Sequence, residues 1–235
     1  MKKTIISHFY NEEYLLSWWL NHHKKYFDHG ILINYGSNDS SVELCKSICP
    51  DWEVVDSRNK QFDAKDCDDE VMDIENNIDG WRITLNITEF LIGKFNQLTV
   101  NELKSLIVRS YIMVDPCNET FPSHEKDIYM QNYHGYLNDG YRKGRLLTRE
   151  NNVYNIGRHY TNYNTDDFII LWYAFSPWNK FTLQRKNQIK DKIPTSDIAK
   201  GLGVHHQLTE KQITEEYYRH CKHTKNIKNE ILKFI

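Results

Sequence analysis

The chain has 235 residues, 40% of them hydrophobic and 26% charged, with a formal net charge of −2. That is enough for one large α/β domain, too apolar for a disordered chain, and without the basic field that a nucleic-acid partner requires. No apolar run approaches the ~18 residues of a membrane span, and MKKTIISHFYNEE has only a short apolar stretch after its two lysines. A cytoplasmic protein is therefore expected, with peripheral membrane association left open.

Thr4 to Phe9 reads as a first strand. Asn11-Glu12-Glu13 opens a helix in which Leu15, Trp19, His22 and Tyr26 recur at helical spacing, and Gly30 breaks it. Ile31 to Tyr35 is a second strand. Ser40-x-x-Glu43 is a capping box for a helix from Ser41 to Ile48, which Pro50 stops. Trp52 to Asp56 is a third strand, and an acidic helix covers Ala64 to Ile78. Asp79-Gly80 is a break, and Trp81 to Leu85 is a fourth strand. This alternation predicts a mostly parallel sheet with helices on both faces.

After Leu91 the rhythm changes. Thr99 to Leu106 is expected as a short helix and Ile107 to Met113 as a strand, with residues 116–150 irregular. Val153 to Ile156 and Phe168 to Phe175 read as strands. Ser176-Pro177 supplies the cap and first position of a helix running to about Lys190. Thr195 to His206 is a loop containing Gly201 and Gly203, and Thr209-x-x-Gln212 caps a terminal helical region. No internal repeat or low-complexity linker is visible. One domain over residues 1–235 is expected, made of halves at 1–92 and 93–206 and a helical region at 207–235.

Cysteines occur at 45, 49, 67, 117 and 221, an odd number without a Cys-x-x-Cys pair. Free, mostly buried thiols fit this better than a metal site. Aromatic residues make up 13% of the chain, including 15 Tyr, which suits a dense core or a carbohydrate-facing cleft.

Three polar groups fall at strand carboxyl ends, where open α/β sheets bind ligands. Asn11 and Glu12 follow the first strand; they either serve the helix dipole or hydrogen-bond a nucleoside. Ser37 and Asp39 lie in the turn after the second strand, which is also an ordinary turn and cap. Asn86, Thr88 and Glu89 follow the fourth strand directly, and packing alone gives no reason for that cluster.

The blocks HFYNEEYLLSWWLNHH, ILINYGSNDSS and GWRITLNITEFL resemble, in order and spacing over about residues 3–92, glycosyltransferases of the GT-A fold. The resemblance is to the branch related to family 2. It implies a GT-A-like α/β fold, with 1–92 binding a nucleotide sugar and 93–206 binding the acceptor. Asn11, Glu12, Ser37 and Asp39 would surround the base and ribose. Asp69, chosen from Asp66, Asp68, Asp69 and Glu70, would contact the donor from the acidic helix.

The family's Asp-x-Asp motif, which holds a divalent cation across the two phosphates, aligns with Asn86-Ile87-Thr88. Both aspartates are absent here. A hard cation prefers carboxylate oxygens, and Asn86 and Thr88 offer neutral ones. Three outcomes follow: a weak Mn²⁺ or Mg²⁺ site at Glu89 with help from His159 and His206, a metal-free enzyme, or an inactive relative. In the metal-free case Arg158, Arg185, Lys186 and Lys200 would neutralise phosphate. An inverting enzyme also needs a carboxylate near the acceptor hydroxyl. The candidates are Asp115, Glu119, Glu125, Asp166 and Asp167, of which Asp167 is taken with Glu89 as catalytic. Tyr129, Tyr133, Tyr136, Tyr141, Tyr160 and Tyr163 would supply sugar-stacking surface.

The expected function is transfer of a sugar from a UDP- or other nucleotide-sugar donor to a hydroxyl of a glycan or glycoconjugate, in glycan biosynthesis. The competing expectation is a catalytically inactive nucleotide- or carbohydrate-binding protein of the same fold. A nucleotidyltransferase fits less well, because the N-terminus has no Gly-rich phosphate loop.

Overall fold

The computed structural model describes residues 1–99, 102–138 and 144–235. Four parallel strands form its N-terminal part: β1 (Lys3–Phe9), β2 (His29–Asn34), β3 (Glu53–Asp56) and β4 (Trp81–Thr84), side by side in the order β3-β2-β1-β4. Apart from β3, these strands are almost wholly buried, as expected where helices cover both faces. The helices α1 (Glu13–His23) and α2 (Ser41–Ile48) pack on the face of Ile5, Phe9 and Leu32. The helix α3 (Ala64–Glu75) covers the other face through Cys67 and Val71 against Ile6, Ile31 and Ile33. Helix α2 has the expected bounds, but its expected capping box does not form. The Ser40 N–H donates to Glu13 Oε2 at 3.0 Å, and Asp39 Oδ1 accepts from the Ser41 N–H at 3.0 Å.

Beyond β4 the chain leaves the first sheet. The strand β5 (Glu89–Gly93) lies at the edge of a second sheet. The expected helix at Thr99–Leu106 is instead a 3₁₀ turn at Phe95–Thr99 followed by β6 (Ser105–Val108). The expected strand at Ile107–Met113 is divided, because β6 and β7 (Ser110–Val114) belong to different sheets. The stretch read as irregular contains β8 (His134–Leu137) and β9 (Arg145–Thr148). The strand β9 pairs antiparallel with both β4 and β6 and so extends the first sheet to β3-β2-β1-β4-β9-β6.

Val153 to Ile156, expected as a strand, is a loop. The strand β10 (Phe168–Phe175) has the expected bounds. It lies between β5 and β7 in the second sheet, whose order is β11-β8-β7-β10-β5 with β11 at Lys225–Asn226. The helix α4 (Lys180–Gln188) starts later than expected. Asn179, not Ser176, caps it, accepting from the N–H groups of Phe181 and Thr182. The expected loop at Thr195–His206 contains a short helix, α5 (Thr195–Ala199). Thr209 and Gln212 form the expected capping box of α6 (Glu210–Cys221), and α7 (Lys228–Ile231) follows β11. One apolar cluster joins Ile83 and Leu147 of the first sheet to Leu91 and Leu171 of the second. All five cysteines are free, and Cys45, Cys49 and Cys67 are buried. No helix among the described residues is long and apolar enough to cross a membrane.

Candidate functional site

The carboxyl ends of β1 and β4 open on a cavity of about 670 Å³. Its size falls within the roughly 300–1,000 Å³ typical of small-molecule sites. His8, Phe9 and Tyr10 reach it from β1, and residues 86–89 reach it from β4. Further walls come from the 156–159 loop, the last residues of β10, α4, the 189–208 segment and α6.

Two buried ion pairs organise this cavity. The turn after β4 closes on itself: the Asn86 N–H donates to Glu89 Oε2 at 2.8 Å, and the Glu89 N–H donates to the Asn86 carbonyl at 2.9 Å. Arg145 on β9 completes the cage. Its Nε donates to Glu89 Oε1 at 3.0 Å and Oε2 at 3.1 Å, and its Nη2 to Oε1 at 2.9 Å. Arg145 Nη1 donates onward to the carbonyls of Gly157 (2.8 Å) and Arg158 (3.1 Å). Asp68 on α3 accepts from the Gly157 N–H at 2.6 Å and pairs with the Arg158 guanidinium. Arg158 has φ 51°, uncommon outside glycine, and these bonds hold it there. One continuous network thus fixes the 86–89 turn, β9 and the 157–158 loop. Each charge is out of solvent and depends on its partner.

Of the residues singled out from the sequence, Glu12, Asn86, Thr88 and Glu89 line the cavity, as do His159 and His206. Asn11, Ser37 and Asp39 do not. They tie the first two strand–helix turns together. The Asn11 N–H donates to Ser37 Oγ at 3.0 Å, Asn11 and Asn38 exchange hydrogen bonds, and Asp39 Oδ2 accepts from the Glu13 N–H at 3.1 Å. Asp69 is displaced by its neighbour. The spacing Cys67, Asp68, Val71, Glu75 puts Asp68 on the buried face of α3, while Asp69 turns outward and pairs with Lys65.

Asp167 is also outside the cavity. It pairs with Lys94 Nζ at 2.8 Å before the first residue of β10, whereas the cavity meets Trp172, Ala174 and Phe175, on the order of 20 Å along the strand. None of the other base candidates lines the cavity. Asp166 pairs with Arg109, and Glu119 and Glu125 are exposed. Asp115 is buried among donors from Thr120, Asn132, Ser176 and the Trp178 N–H. Lys200 does not line the cavity and pairs with Asp197, which does, at 3.7 Å. Tyr129, Tyr133, Tyr136, Tyr160 and Tyr163 do not line the cavity, and Tyr141 lies outside the described residues. The aromatic surface comes from Phe9, Tyr10, Phe62, Trp172 and Phe175.

Sequence reading missed several wall residues. Arg145 stood in a stretch without periodicity, although a buried arginine heading the run Arg-Leu-Leu-Thr is itself a signal. His8 shares the sheet face of Ile6, which alternation along β1 predicts. Glu216 and His220 come from α6, in the terminal helical region, where no site residue was expected.

Burial, helped by the nearby Arg158 and Arg145 charges, pushes His8 down to about 3, so its imidazole is neutral. His8 Nδ1 has no hydrogen-bond partner among the described residues. Burial raises the Glu12 carboxyl, against the opposing pull of Arg185 at 3.4 Å. Glu12 Oε2 has no partner among the described residues. Lys186 is pushed down to about 7, chiefly by burial. Its Nζ lies 3.9 Å from the centre of the Phe175 ring, with no carboxylate within ion-pair distance among the described residues.

A divalent cation does not fit the donor set at the 86–89 turn. Both Glu89 oxygens are taken by Arg145 and the Asn86 N–H, and Asn86 and Thr88 offer only neutral oxygens. Among the described residues, no three His, Cys, Asp or Glu side chains come together as a cation site.

No protein-family model matches the chain, and no curated protein matches it in sequence. Solved structures show partial likeness. S. aureus TarS, residues 1–349, is 12% identical with a TM-score of 0.39, over 63% of this chain and 47% of that one. The same TarS fragment with UDP gives 14%, 0.35, 52% and 38%. Glucosyl-3-phosphoglycerate synthase from Mycobacterium tuberculosis, in complex with Mn²⁺, UDP and glucosyl-3-phosphoglycerate, gives 12%, 0.34, 47% and 44%. The alignment spans less than half the length of each of these proteins.

Proposed function

We propose that this chain is a glycosyltransferase that moves a sugar from a nucleotide-sugar donor to a hydroxyl of a glycan or glycoconjugate, acting in the cytoplasm as one domain. The observation that carries this reading is the cavity at the carboxyl ends of β1 and β4, into which the Asn86–Glu89 turn projects. The sequence resemblance assigns the donor's diphosphate to that turn. Tyr10 and Phe62 offer flat apolar surface to a base, and Arg158, Arg185 and Lys186 supply cationic groups. In the transfer, the acceptor oxygen bonds to the anomeric carbon as the bond to the leaving phosphate oxygen breaks, and that oxygen keeps the electron pair. Glu12 is the cavity carboxylate placed to take the acceptor's proton. Its Oε2 has no partner among the described residues, and its raised pKa makes it the stronger base.

A second reading, a nucleotide- or carbohydrate-binding protein without turnover, is favoured by the complete occupation of the Glu89 oxygens. The two separate in one assay. Purified protein is incubated with UDP-, GDP-, dTDP- and CMP-sugars, with and without a glycan panel, and nucleotide release is followed. Release stimulated by a glycan supports transfer. Binding of a nucleotide or of a glycan without release supports the second reading, and the absence of release and of binding to either removes both.

A further inference from the structure

The glycosyltransferase reading leaves open what neutralises the leaving phosphate, and the side chains answer this differently from a metal-binding motif. We propose that the cavity takes the diphosphate of its nucleotide without a divalent cation, with Lys186, Arg158 and Arg185 as its counter-charges. This rests on the cavity being the donor site.

The place where a cation would bridge the phosphates is already filled by protein charge. Glu89 is the only carboxylate in the 86–89 turn, and a guanidinium and a backbone N–H occupy both its oxygens. A cation entering there would have to displace Arg145, which would strand a buried guanidinium that also holds the Gly157 and Arg158 carbonyls. The turn therefore presents the neutral side chains of Asn86 and Thr88 to the cavity, backed by an arginine in place of a metal.

The remaining wall supplies a lysine without a paired carboxylate and two guanidinium N–H donors without acceptors among the described residues. Lys186 lines the cavity over the Phe175 ring with no carboxylate within ion-pair distance among the described residues. Arg158 and Arg185 each keep a buried Nε–H without an acceptor among the described residues, although each guanidinium also meets a carboxylate, Asp68 and Glu12 respectively. A buried donor without an acceptor is costly, and a phosphate oxygen would relieve it. Guanidinium and ammonium groups are the side chains that stabilise a transferring phosphoryl or leaving diphosphate when the charge is held by the protein itself.

The test is calorimetric titration of the intact chain with UDP, GDP, dTDP and CMP, in excess EDTA and again with excess Mn²⁺. The expected result is binding of at least one nucleoside diphosphate in EDTA, with an affinity that Mn²⁺ leaves essentially unchanged. Lys186→Ala is expected to weaken that binding about tenfold or more in EDTA, the loss of one charged hydrogen bond. Lys186→Arg, which keeps the charge, should hold most of the affinity. Thermal melting of both variants separates lost binding from lost folding. Binding that needs Mn²⁺ overturns the proposal and leaves the donor site standing. An unaltered affinity in a folded Lys186→Ala protein removes Lys186 as a counter-charge and overturns the proposal as stated. If no nucleotide binds under either condition, the glycosyltransferase reading falls, and this inference with it.

Discussion

Glu89 and Arg145 have side chains 5% and 3% exposed, and each is the other's counter-charge. Glu89→Gln would leave the guanidinium buried against a neutral amide, at an expected cost of about 3–5 kcal/mol in urea unfolding. Replacing both, as Glu89→Leu with Arg145→Met, is expected to recover much of that loss, because the isolated buried charge is then gone. A Glu89→Gln protein that unfolds at the wild-type urea concentration would show that the pair does not hold the turn. Glu12 gives the opposite profile. Glu12→Gln keeps an acceptor for Arg185 but cannot take a proton, so turnover should fall by about 100-fold or more while nucleotide affinity changes little. Equal turnover in the two proteins would remove Glu12 from the chemistry. The 86–89 turn was legible because a buried strand followed at once by Asn, Thr and Glu is a local pattern. Its partner was not legible, since Arg145 is 56 positions away in sequence and no periodicity announces that pairing. Asp68 was missed in favour of Asp69 for a different reason. A solvated acidic helix looks alike all round until its apolar face is placed.

Elements place these residues, and the entry to β4 is a tight joint. Gly80 has φ +92°, and a Cβ there would come within 2.3 Å of the Lys2 carbonyl oxygen. Gly201 has a similar φ of +77° but open space around it. Gly201→Ala is therefore expected to cost about 1 kcal/mol from backbone strain alone, near the low end for such positions. Gly80→Ala carries the same strain plus a clash with backbone, and should show a clearly larger loss of denaturant midpoint. Equal losses at the two glycines would mean that the β4 entry yields easily. The same contrast explains what was legible at this scale. In α1 to α3 the apolar residues recur at helical spacing, and β1, β2 and β4 are short buried runs set between helices, so their order could be read. Strands β6, β8 and β9 are no shorter than β3 and β4, but among the described residues no α-helix separates the strands from β5 to β10 and marks their limits. The helix start at Ser176-Pro177 was misplaced because Ser176 Oγ donates to Asp115, leaving Asn179 to cap α4.

Across the whole molecule, α1 is bound to the second sheet by two neutral histidines. His22 Nε2 lies 2.8 Å from the Leu91 carbonyl, to which it donates. His23 Nε2 accepts from the Leu91 N–H at 3.3 Å while its Nδ1 donates to the Trp19 carbonyl at 2.9 Å. A second proton on His23 would displace the Leu91 N–H from Nε2, and one on His22 would sit on a buried Nδ1 without an acceptor among the described residues; burial pushes His22 down to about 4 and His23 well below its ordinary value. Burial does the same at His220, to about 4. In the unfolded chain these rings titrate near 6.5. Below that pH the unfolded state binds protons that the folded state refuses, so stability must fall as pH drops from 6.5 towards 4 and is fully retained above 6.5. Each such histidine contributes up to about 1.4 kcal/mol per pH unit in that window. Glu12, Asp68 and Glu75 oppose this, since burial raises their carboxyls and the folded state then takes up protons first. Urea midpoints taken from neutral pH downward should decline below pH 6.5, where the histidines act. In His22→Asn the initial slope should be shallower, because one refusing ring is gone. A midpoint that stays level through the upper half of that window would mean that the rings joining α1 to β5 take protons without cost, and the packing of the two sheets would need another explanation.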